Sequence, residues 1–275
     1  EISRKHGRVT EMIGGGWLNV VPGEITDDTQ MTLAVAEGII EGPDNPIQAI
    51  GKRFIEWARS GPKDIGGTCS MSIRWAAFLG QNNEPDEEKW FEASKYTSEA
   101  NGGRSGGNGA LMRTVYPGLY YKELLMAVET AGAIAQMTHW DKKSTEACNF
   151  YTEMIHLITE SISREEALQI IRDVLKDSEY SLKARKQLKP TGYVVDSFNC
   201  ALHSIAATGT FEAAIIEAAN LGGDADTIAA IAGGLAGVIY GYNEIPVRWI
   251  QTLDPGIRKQ LDKLVDAAVK NREDR

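Results

Sequence analysis

Apolar residues recur at intervals of three and four along most of the chain, and alternation with a period of two is almost missing. A 3.6-residue spacing keeps one face of a helix turned to a core, whereas a half-buried strand alternates, so the pattern predicts helix after helix. The predicted helices cover about 27–41, 46–59, 67–80, 86–100, 107–121, 123–138, 143–161, 163–176, 193–208, 210–220, 225–241 and 256–272. Breaks are expected at Gly42-Pro43, Gly61-Pro62, the run 81–85, the glycines from Gly102 to Gly109, Pro190 to Gly192, and Pro246. The most apolar stretch is Ile228 to Tyr240, in which Ile228, Ile231, Leu235 and Val238 share one helical face. Its other faces carry Ala229, Ala230, Ala232, Gly233, Gly234, Ala236 and Gly237, so neighbours can approach closely on every side. A helix apolar all round is predicted to be buried. The last helix has Leu261, Leu264 and Val265 on one face and charges elsewhere, and reads as a docked outer helix. The segment 160–188 is rich in Lys, Arg and Glu and reads as a solvated surface. With no repeat period and no linker, the expected architecture is all-α, a compact single domain over 1–275.

Composition narrows the classes. Of 275 residues, 43% are hydrophobic, enough for a sizeable core, and the net charge of −9 argues against a nucleic-acid-binding surface. No run of about 18 apolar residues exists to span a membrane, and no signal peptide is visible. Cys69, Cys148 and Cys200 are far apart and odd in number, which predicts free thiols in a reducing compartment, the cytoplasm. No CxxC or HxxxH spacing suggests zinc. A monomer is the expected state.

The candidate chemistry sits at two predicted helix entrances. Gly223-Asp224-Ala225-Asp226-Thr227 opens the most apolar helix, and Thr26-Asp27-Asp28-Thr29 opens the helix that begins the chain's helical part. One aspartate at a helix N-terminus is explained by the macrodipole and by capping. A pattern that occurs twice is explained less well that way. Asp27, Asp28, Asp224 and Asp226 together bring about four negative charges, which two divalent cations would neutralise, and oxygen-rich ligand sets suit magnesium, manganese or calcium. Two such ions form a known hydrolytic device.

Other signals are weaker alone. Gly14-Gly15-Gly16-Trp17 suggests a turn or a close approach of backbone. Asp64 lies in a glycine-rich loop before a helix and reads first as a turn residue. Gly102 to Gly109 offers bare N–H groups at a helix entrance, which suits phosphate, although it matches neither a P-loop nor a dinucleotide fingerprint. His139 reads as a packed residue or a C-terminal cap, Tyr193 as an aromatic packing at a helix start, and His6, His156 and His203 as structural.

Taken together and in order, Gly14-Gly15-Gly16-Trp17, Thr26-Asp27-Asp28-Thr29, Asp64-Ile65-Gly66, Gly107-Asn108-Gly109-Ala110-Leu111-Met112-Arg113, Thr138-His139 and Gly223-Asp224-Ala225-Asp226-Thr227 resemble the ADP-ribosylglycohydrolase family. Within it, Glu11 to Trp17 and Gly192 to Asp196 are similar to the dinitrogenase reductase-activating glycohydrolases. The resemblance implies an all-helical fold with a two-metal cleft holding Mn²⁺ or Mg²⁺. It implies metal ligation by Thr26, Asp27, Asp28, Asp224, Asp226 and Thr227. Substrate binding falls to Gly66, Ser105, Gly107, Asn108, His139 and Tyr193, and catalytic work to Asp28, Asp64 and Asp226. The implied reaction is hydrolysis of the N-glycosidic bond between ADP-ribose and an arginine of a target protein, dinitrogenase reductase by resemblance, with metal-bound water as nucleophile. Asp64 is then expected to orient the guanidinium of the modified arginine. The family's opening helix, with its Gly-Asp pair and a glutamate assigned to acid/base work, aligns upstream of residue 1, and Glu1 does not match that glutamate. The alternative is an ADP-ribose-binding or structural protein on the same fold with impaired catalysis.

Overall fold

A computed structural model describes residues 7–81, 84–161 and 163–273. Glu1, His6 and part of the break at 81–85 lie outside the described residues. Among those described there are thirteen α-helices, short 3₁₀ turns at Leu111–Arg113, Arg185–Gln187 and Tyr242–Glu244, and no strand beyond two isolated bridges. The helices are α1 Asp27–Glu41, α2 Ile47–Arg59, α3 Gly67–Gly80, α4 Glu87–Ala100, α5 Val115–Tyr120, α6 Leu124–Gln136 and α7 Lys142–Ile158. The second half adds α8 Arg164–Val174, α9 Val194–Ala206, α10 Phe211–Ala219, α11 Ala225–Tyr240, α12 Val247–Thr252 and α13 Pro255–Glu273. None is long and apolar enough to cross a membrane among the described residues.

Most expected helices form within a few residues of their predicted ends. The continuous helix expected over 107–121 does not. Gly107 pairs with Tyr193 in a bridge, a 3₁₀ turn follows, and only Val115–Tyr120 is α-helical. Pro117 supplies no backbone N–H, and Thr114, at φ −100° and ψ 23°, has already left helical geometry. Apolar spacing alone did not register that break. The six-residue α12 was also not predicted; Trp249 buries it against Phe211.

α11 packs on α7, α9 and α10. Ile228, Ile231 and Leu235 are fully buried, each contributing roughly 1.5–3 kcal/mol relative to exposure. Gly234 makes the closest approach, because a Cβ there would lie 2.0 Å from Tyr151 Oη, which donates to Ile231 O at 3.0 Å. The helix is nevertheless not buried all round. Gly233, Gly237 and Val238 are half-buried, and no atom lies within 4 Å of a Cβ placed on Gly237. α13 docks on α1 and α5 through Leu264 and Ala268, with Tyr116 Oη donating to Leu264 O at 2.8 Å, while Val265 is exposed. Cys69, Cys148 and Cys200 are buried free thiols.

Candidate functional site

The two aspartate helices, α1 and α11, pack against each other. Elsewhere in the molecule the N-cap side chain does the expected work: Asp86, Asp141, Ser163 and Thr210 each accept from the backbone N–H three residues on. At α1 and α11 it does not. Thr26 and Asp224 occupy the N-cap positions without a side-chain cap bond. Thr26 Oγ1 instead donates to Asp28 Oδ2 at 2.8 Å, and Asp224 Oδ2 accepts from Asn108 Nδ2 at 2.7 Å. Capping therefore does not account for these oxygens.

Three loops interlock over the mouth of α11. Asn108 N–H donates to Gly192 O at 3.0 Å, and Val194 N–H to Gly106 O at 2.9 Å, joining the glycine loop to 190–193. Asp224 N–H donates to Pro190 O at 3.2 Å. Gly223 has φ +61°, and a Cβ there would fall 1.7 Å from Pro190 O, so only glycine fits. The N–H groups of Asn108, Val194 and Asp224 are thus already committed, and the loop is a fixed wall rather than the open helix entrance predicted.

Between these loops lies a cleft of about 240 Å³. Of the expected residues, Asp27, Asp64, Gly66, Gly107, Asn108, His139, Asp224, Asp226 and Thr227 line it. Thr26 and Asp28 do not; they face an adjoining hollow with Met12, Val20 and Ala230, which shares Asp226 with the cleft. Ser105 is fully buried and its Oγ has no partner, so it is not exposed to the cleft in this conformation. Tyr193 stands at the rim, 44% exposed, with its ring beside Gly106. Cys69, Met112 and Gly192 also line the cleft and were not singled out as site residues. They carry no chemical signal in the sequence, since a thiol, a thioether and a glycine at those places read equally well as packing.

The electrostatics are one-sided. Burial pushes the Asp28 carboxyl up to about 7, with Asp226 and Asp27 adding repulsion and hydrogen bonds from Thr26 and Thr227 opposing it. Asp27 is raised to about 6 by burial and by the charges of Asp64, Asp226 and Asp224. Asp224 is raised by burial, with the bond from Asn108 opposing, and Asp64 is raised chiefly by burial. Asp28 Oδ1 is buried without a hydrogen-bond partner. An orphaned carboxylate oxygen among mutually repelling carboxylates fits a bound cation, and the donors are hard oxygens throughout. No three Asp, Glu, His or Cys side chains are grouped closely enough to hold a metal ion by themselves among the described residues. Beneath the cleft, Arg113 is fully buried, its guanidinium over the Phe54 ring at 4.6 Å. His139 is held neutral, lowered to about 3 by burial and then by Arg113.

Fold and cleft together define a class: an all-helical protein with an acidic, glycine-walled binding site at the mouths of two helices. The chain belongs to the ADP-ribosylglycohydrolase family, whose sequence pattern matches it over residues 1–275. It is 32% identical to the ADP-ribosyl-[dinitrogen reductase] glycohydrolase of Rhodospirillum rubrum, covering 97% of this chain and 86% of that protein. It is 29% identical to the ADP-ribosylarginine hydrolase Tri1 of Serratia proteamaculans (strain 568), over 89% of this chain and 67% of the relative. A solved chain from an "ADP-ribosylglycohydrolase-related protein complex" superposes with a TM-score of 0.77 at 26% identity, covering 98% of this chain and 89% of that one.

Proposed function

We propose that the protein hydrolyses the N-glycosidic bond joining ADP-ribose to an arginine side chain of a target protein. The observation that carries this reading is the cleft itself. Asp27, Asp224 and Asp226, from two separate helix mouths, meet there beside a glycine loop, and Asp224 accepts from Asn108 instead of capping its helix. Relatives named for action on ADP-ribosyl-arginine and on dinitrogen reductase support the substrate class, and dinitrogenase reductase is the proposed target by the same analogy.

In this reading Asp27, Asp28, Asp224 and Asp226, with Thr26 and Thr227, would hold two divalent cations, Mn²⁺ or Mg²⁺. The hydroxyls of Thr26 and Thr227, with water, would complete what the carboxylates alone do not supply. When bound, such cations supply Lewis-acid chemistry to water and to sugar hydroxyls. The chain's own contribution is position and proton handling. Gly66 and Gly107 let a ligand approach the backbone, and Asn108, held to Asp224, sets the wall on which ribose and phosphate would rest. Asp64, half-buried at the cleft wall, would face the guanidinium of the leaving arginine. As the C1″–N bond breaks, water's oxygen bonds to C1″, one of its protons passes to Asp226, which borders both the cleft and the hollow that holds Asp28, and a proton is returned to the guanidine nitrogen.

The test is release of free ADP-ribose, followed by mass, from an arginine-ADP-ribosylated protein. Manganese-dependent release that EDTA abolishes, and that Asp224→Ala loses, is the expected result. Metal-dependent ADP-ribose binding without release would instead make the chain a binding protein on this fold. Appearance of AMP would replace the glycosidic reading with pyrophosphate cleavage.

A further inference from the structure

Arg113 is a buried cation that the chemistry above leaves unused. It makes no ion pair with a carboxylate among the described residues, and its Nε has no hydrogen-bond partner. Nη1 lies 3.5 Å from Met31 Sδ and 3.6 Å from Cys69 Sγ. Nη2 donates to Ile134 O at 3.1 Å and to Thr138 Oγ1 at 2.7 Å. A fully buried guanidinium satisfied only by neutral groups is costly, and one of those groups leads to the cleft. Thr138 Oγ1 is 2.8 Å from His139 Nδ1. The other end of the His139 ring faces the glycine loop: a Cβ on Gly107 would lie 3.2 Å from Nε2, and one on Gly109 3.2 Å from Cε1.

Donor and acceptor counting orders this chain. A guanidinium only donates, so Thr138 Oγ1 accepts from Arg113. The hydroxyl has one hydrogen left to give. Its possible acceptors are His139 Nδ1 and Cys69 Sγ. Sulfur is the weaker acceptor, the thiol is held protonated by burial, and it already faces Arg113 Nη1. The hydrogen therefore goes to Nδ1, and the neutral ring carries its own proton on Nε2. Ser72 Oγ, donating to Thr138 O at 2.9 Å, keeps the threonine in place.

The geometry points to Arg113 as a positioning residue that, through Thr138 Oγ1, holds His139 as the neutral Nε2–H tautomer, a hydrogen-bond donor aimed at an oxygen of the ligand in the cleft. The neutral state agrees with the lowered His139 pKa. It also leaves the four aspartates unpaired with an imidazolium, so their charge stays available to a cation. The identity of that oxygen as one of ADP-ribose rests on the proposed function; the tautomer does not.

The two can be separated. Long-range ¹H–¹⁵N correlation on histidine-labelled, ligand-free protein reads the tautomer directly. The expected spectrum shows His139 with an unprotonated Nδ1 and a protonated Nε2 over about pH 5–8, where an ordinary histidine titrates. A protonated Nδ1, or two tautomers in exchange, overturns the inference in the wild-type protein without any variant. Thr138→Val is expected to lose the single tautomer and Thr138→Ser to retain it, both checked for folding by thermal melt. An unchanged His139 spectrum in Thr138→Val overturns the role of the relay. In the binding arm, ADP-ribose affinity is expected to fall about fivefold in Thr138→Val, the effect of one net hydrogen bond, and to return in Thr138→Ser. Undiminished affinity in Thr138→Val also counts against the relay. Failure of the wild-type protein to bind ADP-ribose counts against the proposed function and leaves the tautomer to be judged by its spectrum.

Discussion

Asp28 is a carboxylate buried among other carboxylates. It is 2% exposed, with one oxygen tied to Thr26 and the other without a partner. Its carboxyl is raised to about 7 and that of Asp27 to about 6, both first by burial. The sign follows from linkage. A carboxyl whose folded pKa is raised binds its proton more tightly in the native state, so its stabilising effect is full below about pH 4 and is lost as pH rises to about 7. The metal-free protein is therefore expected to melt at a lower temperature at about pH 7.5 than at about pH 5.5. Added Mn²⁺ should raise the melting temperature more at the higher pH, since cation and protons compete for the same oxygens. Differential scanning fluorimetry with EDTA or Mn²⁺ checks both. A metal-free protein that melts higher as pH rises would overturn this account of the aspartates. Asp28→Asn is expected to stabilise the metal-free protein near neutral pH and to blunt the response to Mn²⁺.

At the scale of elements, α11 shows what periodicity reads and what it omits. Its buried face, Ile228, Ile231 and Leu235, was legible from spacing. Which of its glycines are required was not, because that depends on which neighbour arrives. A methyl at Gly234 meets Tyr151 Oη, so Gly234→Ala is expected to cost about 1–3 kcal/mol by overpacking. Gly237→Ala meets nothing, and should be neutral or stabilise by up to about 1 kcal/mol through helix propensity. Urea denaturation midpoints of the two variants decide; equal effects would refute the packing argument. The same limit explains the break in 107–121. Its apolar pattern is helical, but Asn108 N–H is taken by Gly192 O and Pro117 offers no donor, so the chain turns instead. Both aspartate motifs had a plausible local reading as caps, and only the packing of α1 beside α11, with Asn108 reaching Asp224, turned those oxygens elsewhere.

For the whole molecule, the site exists only once distant segments are joined. Residues 26–28, 64–69, 107–113, 138–139, 190–193 and 224–227 meet at one cleft and its floor. Asn108 Nδ2 on Asp224 is the side-chain link across 116 positions of sequence. Asn108→Ala should leave the fold intact and lower ADP-ribose release or Mn²⁺ affinity by about 10–100-fold, as loss of a partner behind a metal ligand does. A Mn²⁺ titration of activity checks it, and an unchanged curve would remove Asn108 from the site. The sequence by itself determined the all-helical class, most helix boundaries, the family and the residues from which an acidic cleft could be built. These are properties of local spacing and of short motifs, carried by residues near one another in the chain. Tertiary structure decided the rest. It set Asp28 behind the cleft, buried Ser105, left one side of α11 half-exposed, and brought Cys69, Met112, Gly192 and Arg113 to the site. Burial and hydrogen-bond partnership are settled by which distant segment arrives at a side chain, and no local pattern encodes that arrival.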